Sequence, residues 1–171
     1  MSLPSSLWRR WRGPLAALSV VAADRVSKLC VASSMELWSS RTIVPGFFDL
    51  VHSQNRGMAF GLLNDGATHA TRLLLIAVSI AVLAFLVQLT LRAWRDTGDA
   101  VPMPLFLVLG GAMGNLWDRV QHGYVVDFLD FHLGGWSWPA FNVADSAITI
   151  GALWLLWEMW SPRRVGVEKR S

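Results

Sequence analysis

The sequence predicts a mainly α-helical membrane protein, with four transmembrane helices and a small extracytoplasmic antiparallel β-sheet. Three observations carry that expectation. The 171 residues are 53% hydrophobic and only 16% charged, with a mean hydropathy of +0.40, whereas soluble domains carry about 25% charged residues. Four apolar segments approach the roughly 20 residues that cross a hydrocarbon core. Most Lys and Arg stand beside those segments. The net charge of +3 therefore reads as an orientation signal, and no nucleic-acid partner is expected.

The first span covers about residues 14–34 and carries Asp24, Arg25 and Lys28. The second, 73–91, is the cleanest, with Ser79, Gln88 and Thr90 its only polar residues. The third, 103–120, opens at Pro102 and Pro104, where a missing N–H costs a helix little. Gly110 and Gly114 give it a small-xxx-small face suited to close packing. The fourth covers 141–160. Residues 1–171 are thus expected to form one integral-membrane domain, with outer loops at 35–72 and 121–140.

The first outer loop has strand-like pieces at 41–44 and 47–51, split by Pro45 and Gly46, which suggests a hairpin resting on the membrane surface. A short helix is expected near 58–63. The second loop is aromatic and glycine-rich, suited to a lid.

Charge sets the orientation. Arg9, Arg10 and Arg12 precede span one, Arg92 and Arg95 follow span two, and Arg163, Arg164, Lys169 and Arg170 follow span four. These nine of the 15 basic residues mark the cytoplasmic side. The opposite loops hold only Arg41 and Arg56, with Arg72 and Arg119 at helix ends. Both termini are then cytoplasmic. Trp8, Trp11, Trp94, Trp154, Trp157 and Trp160 would mark the inner interface, and Trp38, Trp117, Trp136 and Trp138 the outer one. The basic start and the apolar run to Ala23 also fit a cleavable signal peptide. Asp24 and Lys28 just beyond favour a retained helix. Cys30, the single cysteine, excludes a disulfide framework and is expected to be a packed residue.

Polar residues inside apolar segments are the chemical signal. A lone carboxylate near the middle of a membrane helix costs about 2.5–3.5 kcal/mol, so it is rarely idle. Asp24 and Lys28, four apart, can pair on one helix face, either to anchor span one or to orient a polar site. Asn115 and Arg119 share a face near the end of span three, as headgroup anchors or as site residues. Asn142 and Asp145 share a face of span four. Asp127 follows span three in Val125-Val126-Asp127-Phe128. Asp127 and Asp145 can converge as an aspartic-protease pair, with Asp118 and Asp130 as competing members. No His-Glu-x-x-His, Gly-x-Ser-x-Gly or Gly-x-x-x-x-Gly-Lys pattern is present, so zinc, serine and nucleotide chemistry are unsupported. A proton- or ion-coupled transporter with Asp24, Lys28, Asp127 and Asp145 as relays is the alternative class, and a non-catalytic scaffold is another. The lack of internal repeats counts against a transporter.

Five motifs occur in order: Asp24 with Lys28, Asn55-Arg56-Gly57-Met58-Ala59-Phe60-Gly61, Gly114-Asn115-Leu116-Trp117-Asp118-Arg119, Val125-Val126-Asp127-Phe128, and Phe141-Asn142-Val143-Ala144-Asp145-Ser146. Together they resemble the lipoprotein signal peptidases, bacterial inner-membrane aspartic proteases, over about residues 14–160. The resemblance implies that Asp127 and Asp145 form the catalytic pair. It also implies that Asn55, Gly57, Asn115, Arg119 and Asn142 line or support the site, with Asp24 and Lys28 nearby. It further implies substrates that are diacylglyceryl-modified prolipoproteins, cut before the lipidated cysteine at the periplasmic face of the inner membrane. Membrane lipid is the other partner, and the chain is expected to work as a monomer without metal or organic cofactor. Met58 is one departure, since the family usually has a small residue there.

Overall fold

A computed structural model describes residues 5–57, 69–97 and 101–161. Four helices alternate with a small sheet: α1 (Ser5–Ser34), β1 (Ser40–Val44), β2 (Phe48–Asn55), α2 (His69–Thr97), α3 (Met103–His122), β3 (Val125–Leu133), β4 (Trp136–Ser137) and α4 (Val143–Trp160). All four apolar segments are helical. The helix expected near 58–63 and Met58 lie outside the described residues, as do the four basic residues beyond 161.

Local chemistry fixes the helix ends that matter. Pro102 caps α3, and Gly123 closes it in the left-handed conformation at φ +79°, its N–H donating to Arg119 O at 3.0 Å. A left-handed glycine is a frequent helix stop. Asn142 caps α4, its Oδ1 accepting from Asp145 N at 2.9 Å. That cap places Asp145 in the first turn, where the helix dipole favours a negative charge.

The packing order follows from small residues on α3. A Cβ on Gly110 would meet Ala17 O at 2.6 Å, and one on Gly114 would meet Asp24 Oδ2 at 2.7 Å. The expected glycine face therefore packs on α1. Gly111 faces Ala144 of α4, while Trp94 of α2 stacks edge-on against Phe106. Advancing residue numbers run together along α1 and α3 and oppositely along α2 and α4. The C-terminal ends of α1 and α3 and the N-terminal ends of α2 and α4 thus share one end of the bundle. The sheet lies there.

The sheet is antiparallel in the order β1-β2-β3-β4. The hairpin expected at Pro45 and Gly46 is present, with Phe47 N donating to Val44 O at 3.0 Å. The second outer loop carries β3, which pairs with β2 inside the sheet, and the short edge strand β4. Val125, Val126, Asp127 and Phe128 are all buried. A strand buried on both faces loses the alternation that reveals strands.

Burial is inverted relative to a soluble domain. Asp24, Lys28, Asp118, Asp127 and Asn142 are buried, while Leu73, Leu74, Val78, Ile80, Phe85, Ile150, Leu153 and Leu156 are exposed. Exposed apolar surface of that extent belongs against lipid or another apolar partner. Among the described residues one helix, His69–Asp96, is long and apolar enough by composition to cross a membrane. The other three carry the charged residues that build the site. Cys30 is exposed rather than packed, because Lys28 and Val31 take the inward positions of that turn.

Candidate active site

Asp127 and Asp145 come from different elements and meet through two asparagines. Asp127 lies on β3, placed by pairing with Ser53 of β2, whose Oγ donates to Asp127 O at 3.0 Å. Asp145 lies in the first turn of α4. Asn142 Nδ2 donates to Asp127 Oδ1 at 2.7 Å, and Asn115 Nδ2 donates to Asp145 Oδ1 at 2.7 Å. Asn142 Nδ2 also lies 3.4 Å from Asn115 Oδ1 and 3.3 Å from Val126 O. The two carboxyls are thus held by a bonded pair of amides, each giving an N–H to one of them.

Asn55, at the end of β2, also hydrogen-bonds the Asp127 side chain. Its Oδ1 accepts from Gly57 N at 2.9 Å, forming an Asx turn. Gly57 has φ +84°, a conformation that penalises any side chain. Its positive φ shapes the turn that carries Asn55.

Asp127 is 2% exposed. Burial first, and then the charge of Asp145, push its carboxyl up to about 6, against the hydrogen bonds from Asn55 and Asn142 and the charge of Lys28. Desolvation and a like charge both disfavour ionisation. The guanidinium of Arg119 lies within electrostatic reach of Asp145, Asp127 and Asp118, and its NH1 is 3.5 Å from Asn115 O.

The structure brings together Asp127, Asp145, Asn55, Asn115, Arg119 and Asn142, with Gly57 shaping one side. Asp24 and Lys28 form the expected ion pair at 2.7 Å, and Lys28 Nζ reaches Asn115 Oδ1 at 3.2 Å. Asp24 Oδ1 accepts from Ala144 N at 2.9 Å, tying α1 to α4. The competing aspartates sit elsewhere. Asp118 is held by Arg25 and Lys28, and Asp130 lies opposite Asp49 on the sheet. Sequence reasoning missed Ser53 and Val126, which act through backbone and hydroxyl contacts that leave no sequence signal. Asp49, Asp130 and His132 bring ligand atoms within 4.8 Å of one another, on the sheet and apart from the aspartate pair.

A helical bundle with lipid-compatible walls and a buried polar site at one end defines a membrane enzyme. Comparison with solved structures agrees: a bacterial membrane enzyme determined at 1.9 Å resolution superposes with TM-score 0.73 at 29% identity, over 88% of this chain and 94% of that one. The family profile described as Signal peptidase (SPase) II matches residues 16–161. The lipoprotein signal peptidase of Solibacter usitatus is 39% identical over 91% of this chain and 94% of its own length. That of Maridesulfovibrio salexigens is 45% identical over 75% and 82%. That of Syntrophotalea carbinolica is 44% identical over 85% and 89%. The chain belongs to the signal peptidase II family.

Proposed function

We propose that this chain removes signal peptides from diacylglyceryl-modified prolipoproteins by aspartic peptide hydrolysis, cutting before the lipidated cysteine, with Asp127 and Asp145 as the working pair. The observation that carries the reading is the paired amides of Asn115 and Asn142, which give one N–H to each carboxyl. Like charges at close range resist joint ionisation, so such a pair shares one proton. Asp127, buried and pushed up to about 6, holds it. Asp145, at the start of α4, is the partner assigned to activate water.

In this mechanism Asp145 takes a proton from water as the water oxygen attacks the scissile carbonyl, while Asp127 donates its proton to the carbonyl oxygen. The resulting diol collapses with cleavage of the C–N bond, and the leaving amine takes a proton from the pair. Arg119 offers positive charge near the developing oxyanion. Asp24 and Lys28 support Asn115, and Asn55 with Gly57 supports Asp127. The chemistry needs no metal or organic cofactor.

The same reading makes residues 1–171 one integral-membrane domain of four spans in the bacterial inner membrane. Both termini are cytoplasmic, and the sheet and the aspartates face the periplasm. The basic residues support this orientation. Trp8, Trp11, Trp154, Trp157 and Trp160, exposed at one end of the bundle, and Trp38, Trp136 and Trp138, exposed at the other, fit two interfaces. Two acyl chains on the substrate, each buried CH₂ worth about 0.8 kcal/mol, would hold the scissile bond at that depth. The chain acts as a monomer, since one copy supplies every group named.

The test is cleavage of a diacylglyceryl-modified prolipoprotein by the purified chain in detergent. Asp127→Asn and Asp145→Asn should each lose at least about a hundredfold in rate while staying folded. Near-parent cleavage by either variant would remove that residue from the pair.

A further inference from the structure

Beside the aspartate pair, α1 and α3 share an ion cluster of the buried Asp24, Lys28 and Asp118 with the half-buried Arg25. An ammonium has three N–H donors and no acceptor. Lys28 Nζ finds three oxygens: Asp24 Oδ2 at 2.7 Å, Asp118 Oδ2 at 2.9 Å and Asn115 Oδ1 at 3.2 Å. Two of its N–H groups donate, to Asp24 and Asn115, while Asp118 Oδ2 is an ion-pair contact that accepts no hydrogen bond. Asp118, 1% exposed, binds Arg25 NH1 through its other oxygen at 2.6 Å, and His122 Nδ1 stands 4.0 Å from that same oxygen. The Arg25 guanidinium lies 5.7 Å from the Trp117 ring centroid. With Arg25 and Lys28 positive and Asp24 and Asp118 negative, the four charges cancel. Removing one member would leave a buried charge without its partner.

We propose that Asp118 is a positioning residue for the peptide cleavage: with Arg25 it holds Lys28 against Asn115, so that the Asn115 amide presents its N–H, and not its oxygen, to Asp145. The proposal rests on the reading of Asp127 and Asp145 as the catalytic pair. An asparagine can offer either end to a neighbour, and its partners decide which. Lys28 can only donate, so the Asn115 oxygen must face it. Nδ2 then points at Asp145, and Asn142 Nδ2 at 3.4 Å from the same oxygen agrees. An oxygen turned toward Asp145 would repel an ionised carboxylate. Asp118 reaches the pair through Lys28 and Asn115. The charged groups acting on Asp145 are Arg119 and Asp127, and Lys28 acts on Asp127.

The experiment is the pH–rate profile of cleavage by the purified full chain in detergent, with kcat and KM separated and thermal unfolding followed in parallel. Asp118→Asn should fold and lose about a hundredfold in kcat, as expected for a misplaced catalytic geometry, with KM little changed. Its acid limb should move to higher pH, because the pair has lost an N–H that favours its ionised form. Lys28→Met should shift the limb the same way, and Lys28→Arg, again only a donor, should restore part of the rate. A folded Asp118→Asn with the parent profile and kcat would overturn the proposal, as would a lowered unfolding temperature with an unmoved profile. Should Asp118→Asn not fold, Arg25→Gln decides: a smaller shift of the same sign supports the proposal, and the parent profile overturns it. Asp127→Asn and Asp145→Asn run alongside separate the two readings. Activity in either of them sinks the catalytic pair, whereas inactivity in both with an unmoved Asp118→Asn profile sinks only the role of Asp118.

Discussion

In the folded protein burial, and then the Asp145 charge, push the Asp127 carboxyl from the ordinary carboxylate range up to about 6. In the unfolded chain the same group ionises earlier. Between those two values the unfolded state sheds its proton first, so stability present at low pH is lost as pH rises through about 6. Asp127→Asn removes the charge and keeps the shape. Its thermal midpoint in detergent should therefore exceed the parent's at pH 7 and match it at pH 4, even as cleavage disappears. A second expectation follows for the free enzyme, whose essential groups are reported by kcat/KM. That ratio should fall as pH rises past about 6, where Asp127 no longer carries a proton to donate. At this scale the sequence was informative where partners are close in the chain. Asn142 with Asp145 and Asp24 with Lys28 are legible at spacings of three and four, and both pairs bond as spacing suggests. The bonds from Asn115 to Asp145 and from Asn142 to Asp127 are set by tertiary packing, which no spacing encodes.

The elements decide whether those residues meet. β3 delivers Asp127 only because β2 pairs with it, Ser53 standing opposite Asp127. The β1–β2 hairpin was readable from its turn and β-branched residues. β3 was not, because an apolar run buried on both faces resembles any buried segment. α4 offers a clean separation of duties at Asn142, which caps the helix through Oδ1 and feeds Asp127 through Nδ2. Asn142→Asp keeps a cap acceptor and loses the donor. It also sets another buried carboxyl against Asp127, so it should lose about a hundredfold in rate and lose stability as pH rises from 4 to 7. Asn142→Ala should lose about 1 kcal/mol of unfolding free energy from the missing cap at either pH. Activity and unfolding measured on both variants would check this. Gly114 of α3 makes a further case, since an added Cβ would sit 2.7 Å from Asp24 Oδ2. Gly114→Ala should destabilise the chain by about 1–3 kcal/mol through overpacking, read from its unfolding midpoint.

For the molecule as a whole, burial and exposure are exchanged relative to a soluble fold, and composition announced this before any element was placed. Helices α1 and α3 bury Asp24, Lys28 and Asp118, and α1, α3 and α4 leave leucine, isoleucine and tryptophan outside. The count of apolar segments was legible for that reason, and Gly110 and Gly114 foretold close packing of α3, while its partners α1 and α4 waited on three dimensions. The ion cluster also bears on how such a chain is made. Asp24 and Lys28 are neighbours on α1, so their pairing is available as soon as that helix exists. Arg25 must wait, because Asp118 lies 93 residues downstream. Chains are synthesised from the N-terminus, so the first helix forms with a guanidinium still lacking its partner. Closing the cluster is therefore a late step of assembly, and a chain stopped before α3 would hold its first helix in a state that the finished protein never shows.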